Sequence, residues 1–497
     1  MSIALSRYTA IAEIWEGRRR HSTNWRLGDN PLFLISIDAK TISSITRLAI
    51  CFAEPRLLHT EWHQGMLLGP FLTDLDERAR VKGSRDPLGV QAIWTHFGRH
   101  VVGNLTTVTN SLRDFTAHLL GYYFAERVAR ENGRGSELET FLKWEQLEAY
   151  SRAFFNDDYE FRGTERVKKN LGNGTRITLS TAQSSQILSD QKTYGLWGLY
   201  SVSSASSGLV EQNPARLTLD GLEFVEDFYL PRFGEAGIPK ANRVVQLLSR
   251  DDCRIDLAKA ENSLCTCVAR LLKRRVLEHE RRFYQFHLVE GAPQNPTEGR
   301  QALLAKIMDR VIGRDTAWSP ALVRALAKEA NGSGQVRESL AFRLERINAC
   351  EKILAPAASL YAYLQGCHGM TFGLAAKRVR DQWGAKVKTI NLAEVQDLRS
   401  ELAVARDEDC ADRLIAFAEA LSQGEYADAL RHLVTQNQAT MQARGGAAWI
   451  EDRAGRLHVR VRDEQGILPA HEEIGTLWRF PYFLDSLRAI TLQLRAR

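Results

Sequence analysis

Several short stretches carry residues whose types and spacing could do chemistry. "HTEWH", His59 to His63, sets two histidines one helical turn apart, but its glutamate occupies the middle position. A zinc hydrolase of the H-E-x-x-H kind needs that glutamate beside the first histidine. "NDDYEFRGTERVKK" gathers Asp157, Asp158, Glu160, Glu165 and Lys168, the residue types with which a nuclease holds Mg²⁺ near a lysine, without a strand pattern to keep them in register. "GCHGMTFG" places Cys367 next to His368. Neighbours on a helix point about 100° apart, so these two cannot pair as nucleophile and base. Cys253, Cys265 and Cys267, with His279 and His287 downstream, lack the C-x-x-C pairs of structural zinc sites. There is no G-x-x-x-x-G-K-[ST] loop, and the glycine-rich "LGNGTR" opens no βαβ unit. The sequence therefore assigns no catalytic residue, no metal ligand and no cofactor.

Cations are better supplied. "CVARLLKRRVLEHERRFY" carries Arg270, Lys273, Arg274, Arg275, Arg281 and Arg282 against Glu278 and Glu280, with Phe283 and Tyr284 beside them. On one continuous helix these make a basic stripe able to follow a phosphate backbone. "RVKKN", "AAKRVRDQWGAKVK" and the arginines of a late hairpin add further candidates. The whole chain of 497 residues has 66 Lys plus Arg against 60 Asp plus Glu, a net charge of +6. That balance permits nucleic-acid contact without requiring it.

The elements that must position these residues read as mostly helical. Hydrophobic residues make up 44% and charged residues 25%, ordinary for a globular chain long enough for two to four domains. Seven scattered cysteines form no disulfide framework, which suits a reducing cytoplasm. No secretory leader and no run of about 20 uncharged apolar residues is present, so a soluble protein away from membranes is expected. "LSRYTAIAEIWEG" opens with helical spacing, and short helices between prolines follow. Asp86 and Pro87 cap a helix that Gly98 to Gly103 would end, a second helix follows through Leu112 to Tyr123, and Ser136 with Glu139 forms a capping box. "NDDYEFRGTERVKKNLGNGTR" reads as a linker or long loop. Beyond Gly234 long helices return, among them one continuous helical pattern from Asp256 to Glu290. "AAWIEDRAGRLHVRVRDEQG" alternates around Arg453 to Gly455 as a β-hairpin, and a helix closes the chain.

"SGLVEQNPARLTLDGLEFVEDFY", Ser207 to Tyr229, reads as strand, tight turn, strand and helix, with Gly208 ending the helix before it and Thr218 as the next N-cap. With the segments before it, this stretch resembles the PadR and MarR type winged helix-turn-helix. The resemblance implies a recognition helix over 193–206, where Tyr200 and serines supply the polar groups, and a wing from Glu211 to Arg216. The mapped helix departs from the family in carrying no Arg or Lys after Lys192, so its surface is short of the cations that DNA affinity requires. Blocks over most of the chain, including "SRDPLGVQAIWTHFGRHVVGNLTTVTNSLRDF", "YGLWGLYSVSSASSGLV" and "QARGGAAWIEDRAG", resemble a group of bacterial proteins encoded in phage-defence gene clusters. That resemblance implies a cytoplasmic protein acting beside a helicase, a nuclease or another effector, and it carries over no catalytic residue.

The reading is a mainly α, multi-domain protein: an N-terminal helical domain (1–155), a winged-helix-like domain (156–235), a helical domain with the basic helix (236–445), and a β-hairpin plus C-terminal helix (446–497). Its expected role is a non-catalytic subunit of an antiviral system that binds double-stranded DNA or holds protein partners. The nucleic-acid contacts would be Arg270, Lys273, Arg274, Arg275, Arg281, Arg282, Tyr200 and Arg216. The alternatives are a metal-dependent nuclease and a scaffold without nucleic-acid contact.

Overall fold

The computed structural model describes residues 86–132, 137–213, 215–251, 253–259, 263–292, 295–313, 316–463 and 466–496. The opening helix, the proline-punctuated segment, "HTEWH" and the cap residue Ser136 lie outside these. All described residues fall in one compact unit, Asp74–Arg497, and its buried side chains form one cluster drawing on all four expected segments.

The architecture is mainly helical, with three separate two-stranded antiparallel sheets. Asp86 accepts the backbone N–H groups of Val90 and Gln91, opening α1 (Gln91–Arg99). Two long helices follow, α2 (Leu112–Asn132) and α3 (Glu137–Asn156), packed on each other. Every residue of α3 from Thr140 to Ala153 is buried, including Lys143, Glu145, Gln146, Glu148 and Arg152. A helix enclosed on all sides has no wet face, so each of these polar groups needs a partner inside the protein.

The segment expected as a linker contains α4 (Thr164–Gly172), entered through Gly163 at φ 88°, and leads into β1 (Arg176–Leu179). Only Val167 of α4 is buried, so the sequence offered almost no apolar period there. Next come α5 (Gln191–Tyr194), α6 (Leu196–Ser206) and the hairpin β2 (Val210–Gln212) with β3 (Ala215–Leu217). Gly208, at φ 72°, closes α6: its N–H reaches Ala205 O while Leu209 N–H reaches Ser204 O. This left-handed stop turns the chain directly into β2, and a side chain at 208 would strain it. Thr218 then caps α7 (Leu219–Glu223), which runs through a π-helical turn, Phe224–Tyr229, into α8 (Leu230–Glu235).

After α9 (Asn242–Leu248), β4 (Cys253–Asp256) pairs with β1, Arg176 opposite Asp256 and Leu179 opposite Cys253. The continuous helix expected from Asp256 to Glu290 is a correction: it divides into α10 (Ser263–Leu271), an irregular link, α11 (Glu278–Tyr284) and a π-helical turn, Gln285–Gly291. In the link, Leu272 and Val276 turn into the core, the Arg275 carbonyl accepts Arg113 Nη2, and Glu280 Oε2 accepts Leu277 N–H to restart the helix.

The second half is helical: α12 (Arg300–Val311), α13 (Pro320–Ala330), the long α14 (Gln335–Gln365), α15 (Phe372–Trp383), α16 (Leu392–Asp397), α17 (Arg399–Ala405), α18 (Glu408–Gln423) and α19 (Tyr426–Ala443). The late hairpin forms as expected, β5 (Ile450–Arg453) against β6 (Arg456–Val459), with Leu457 and Val459 buried. Helix α20 (Leu484–Arg495) closes the chain. No helix among the described residues is long and apolar enough to cross a membrane.

Candidate nucleic-acid interface

The cations expected to form one stripe are dispersed. Arg270, Lys273 and Arg275 are exposed, at the end of α10 and in the irregular link. Arg274 is held by Asp158 at 3.2 Å and Glu160 at 3.1 Å. Arg281 donates to the carbonyls of Leu494 and Ala496, pinning the end of α20, and Arg282 lies 3.4 Å from Glu278 on its own helix. Arg216 pairs across the hairpin with Glu211 at 2.7 Å. Tyr200 is fully buried: α6 packs on α2 and α3, and the hydroxyl donates to Asp114 Oδ2 at 3.2 Å. A group so enclosed cannot reach a phosphate, so the expected outward-facing Tyr200 is a second correction.

The fold assembles a different basic site where α9 meets β4. On α9, Val244, Val245 and Leu248 face the core, which leaves Arg243 and Gln246 outside. On β4 the period of two buries Cys253 and Ile255 and turns Arg254 outward. Between them lies a cleft of about 380 Å³ whose lining, among the described residues, holds Arg243, Arg250, Arg254 and Lys259 against one carboxylate, Asp256. That carboxylate is engaged: Thr175 Oγ1 donates to it at 2.7 Å and Arg176, on the paired strand, lies at 3.5 Å. The Thr175 hydrogen bond, with Arg176 beside it, holds the Asp256 carboxyl below the usual range. Arg176 is 85% exposed and adds a fifth cation at the rim. Behind the cleft, buried Lys143 of α3 donates to the carbonyls of Leu248 at 3.3 Å and Arg250 at 2.6 Å, fixing the turn from which Arg250 projects.

The lining of this cleft is rich in N–H donors. The thiols at its floor are poor nucleophiles, because burial raises Cys253 and pushes Cys265 up to about 11. Several guanidinium groups converging on one groove suit phosphate oxygens, which they meet through paired N–H donors. Sequence reading missed the site because residues 253–255 stand unassigned between two helical patterns and Asp256 reads as the start of the second, so the outward phase of Arg254 was never assigned. The alternation in "CRID" was the available signal.

Of the acidic candidates, Asp158 and Glu160 are engaged by arginines of the fold, while Glu165 stays exposed. Asp158 is buried and satisfied by Arg152, Arg274 and the Glu160 N–H. Arg152 also lies 3.3 Å from both Asp114 and Glu148. Burial would depress Arg152, but Glu148, Asp114 and Asp158 together keep it protonated. With more carboxylates than guanidinium groups enclosed, burial raises Asp114, lifts Glu145 to about 7 and lifts Glu148 to about 8. Glu145 accepts the Leu196 N–H at 2.7 Å and Gln191 Nε2 at 2.8 Å. In a neighbouring network Arg113 meets Glu280 at 2.6 Å and Tyr229 at 3.0 Å. Among the described residues no group of three or more His, Cys, Asp or Glu is arranged to hold a metal ion. Cys367 donates to the Tyr363 carbonyl while His368 Nδ1 accepts the Val459 N–H, so these neighbours serve different partners.

The chain matches no protein-family model, no curated protein and no solved structure.

Proposed function

We propose that this protein is a non-catalytic subunit of a bacterial antiviral system that binds duplex DNA, or holds partner proteins on it, through the cleft between α9 and β4. One observation carries the reading: four cationic side chains line a groove in which the one carboxylate among the described lining residues is already engaged. The exposed Arg270 lies on α10, which lends Leu264 and Cys265 to the cleft, and six residues of helix separate it from Leu264 by about 9 Å. The order α6, hairpin, α7 supports the winged-helix reading of 179–229, though 179–190, expected as its first helix, holds turns and bends after the end of β1; the hairpin serves packing, since β3 lies on α2 and Arg216 is spent on Glu211. The antiviral setting rests on the resemblance to proteins of phage-defence clusters.

The test is binding of a 25-base-pair duplex, followed by fluorescence anisotropy from 50 to 200 mM KCl, with and without Mg²⁺. Four phosphate contacts imply a log–log salt slope of about −3.6, a loss of roughly 150-fold in affinity over that range. Arg250→Glu with Arg254→Glu should remove most of the binding, whereas Lys273→Glu with Arg275→Glu should weaken it less. Unchanged affinity in the cleft variant overturns this site, and Mg²⁺-dependent cleavage overturns the non-catalytic reading.

A further inference from the structure

A second surface has the opposite chemistry. Helix α7 with its π-helical turn meets α11 with its own π-helical turn, and Phe224 stacks on Phe283 with centroids 3.8 Å apart and planes 2° apart. His279 stacks on Phe228 at 4.8 Å, continuing the aromatic ladder. Beside it opens a cavity of about 490 Å³ whose rim carries Asp220, Glu223 and Asp227, with no Lys or Arg among the described residues that line it. Phe286, 47% exposed, forms part of the wall, and Leu219, 69% exposed, adjoins Asp220.

The decisive group is His287, 3% exposed and part of the lining. Its Nδ1 is fixed by the Ser207 carbonyl at 2.9 Å, so that nitrogen carries the proton. Burial lowers its pKa, leaving a neutral ring whose Nε2 is an acceptor. That Nε2 faces Asp220 Oδ2 at 3.8 Å, too far for a hydrogen bond and with no proton between two acceptors. An imidazole acceptor on the cavity wall with no hydrogen-bond donor among the described residues, three carboxylates and a flat aromatic wall call for a planar cation with several N–H groups. A guanidinium meets all three demands, stacking on the rings while its N–H fork reaches carboxylate and imidazole. An ammonium has no plane to stack. The same ladder already takes one guanidinium, since Arg232 lies 5.1 Å from the Phe228 centroid.

We infer that this cavity is a docking site for an arginine side chain presented by a basic segment of a partner protein. The charge that fits it would repel a phosphate backbone, so the site is independent of the basic cleft.

The test uses a fluorescein-labelled 12-residue peptide of alternating arginine and alanine, and its lysine counterpart, titrated with the full-length protein at 50 mM salt. The arginine peptide should bind about tenfold more tightly than the lysine peptide. Asp220→Asn with Glu223→Gln and Asp227→Asn should weaken it about tenfold, and Phe286→Ala about fivefold. These residues are exposed, and an unchanged circular dichroism spectrum and melting midpoint establish that the variants fold. Absent binding, equal binding of both peptides, equal binding by the carboxylate variant, or displacement by spermine at matching charge overturns the inference. Duplex affinity should be unaltered in every variant, so failure here and failure of the DNA reading are told apart.

Discussion

Glu148→Gln is expected to change the pH dependence of folding in a defined direction. Glu148 is fully enclosed on α3, and burial raises its carboxyl from the ordinary 4.5 to about 8. The folded state therefore holds this proton more tightly than the unfolded chain does. Its contribution to stability is complete below about pH 4.5 and is lost as pH rises through 8. Each pH unit between the two values corresponds to about 1.4 kcal/mol, so the group removes roughly 3–4 kcal/mol of stability between pH 5 and pH 8. Glutamine keeps a carbonyl oxygen for Arg152 Nη1, which lies 3.3 Å from the native carboxylate, and cannot ionise. Urea unfolding of both proteins at pH 5, 6, 7 and 8 gives the difference directly. The variant should gain on the wild type as pH rises and be the more stable of the two at pH 8. Glu145, lifted to about 7, titrates in the same range and its charge helps to raise Glu148, so the comparison reads the change at 148 together with the shift it causes at 145. Parallel stability curves for the two proteins would refute the reasoning, because they would mean that position 148 exchanges no proton on unfolding.

Further outcomes follow from the same structure. Arg113→Met leaves Glu280 buried without its guanidinium and should cost about 3–5 kcal/mol in urea unfolding. Trp144→Ala empties the space of a fully buried indole, whose Nε1 donates to the Ala117 carbonyl at 2.8 Å, and should cost a similar 3–5 kcal/mol. The turn between β5 and β6 holds Ala454 at φ 53° and Gly455 at φ 77°, both left-handed. Such turns favour Asn-Gly, so Ala454→Asn should raise stability by about 0.5–1 kcal/mol, whereas Gly455→Val should lower it by about 1–2 kcal/mol. Thermal melts of the two turn variants provide the check, and opposite signs are required.

The sequence by itself determined what local physics controls. Helical periodicity, the stop at Gly208, the Thr218 cap and both hairpins depend on residues close in the chain, and the structure has each of them, whereas Asp86 and Pro87 stand before α1, whose N-cap is Val90, rather than at its first positions. It also set Cys367 and His368 apart on helix geometry; they lie beyond the end of α14, where they serve different partners, Tyr363 and Val459. What it could not decide was which polar residues would be wet. Lys143, Glu148 and Arg152 have the spacing and charge of a solvated helix face, yet α3 is enclosed by its neighbours and they serve as internal partners. Tyr200 was withdrawn from solvent in the same way, by Asp114 on α2, while Arg274 stays exposed but is engaged by Asp158 beyond α3. The basic cleft depends on β4 pairing with β1 across more than 70 residues, and four-residue strands have too little pattern to announce themselves. Burial is a property of the assembled neighbours. Tertiary packing alone therefore chose which cations reach solvent, and with them where an anion can bind.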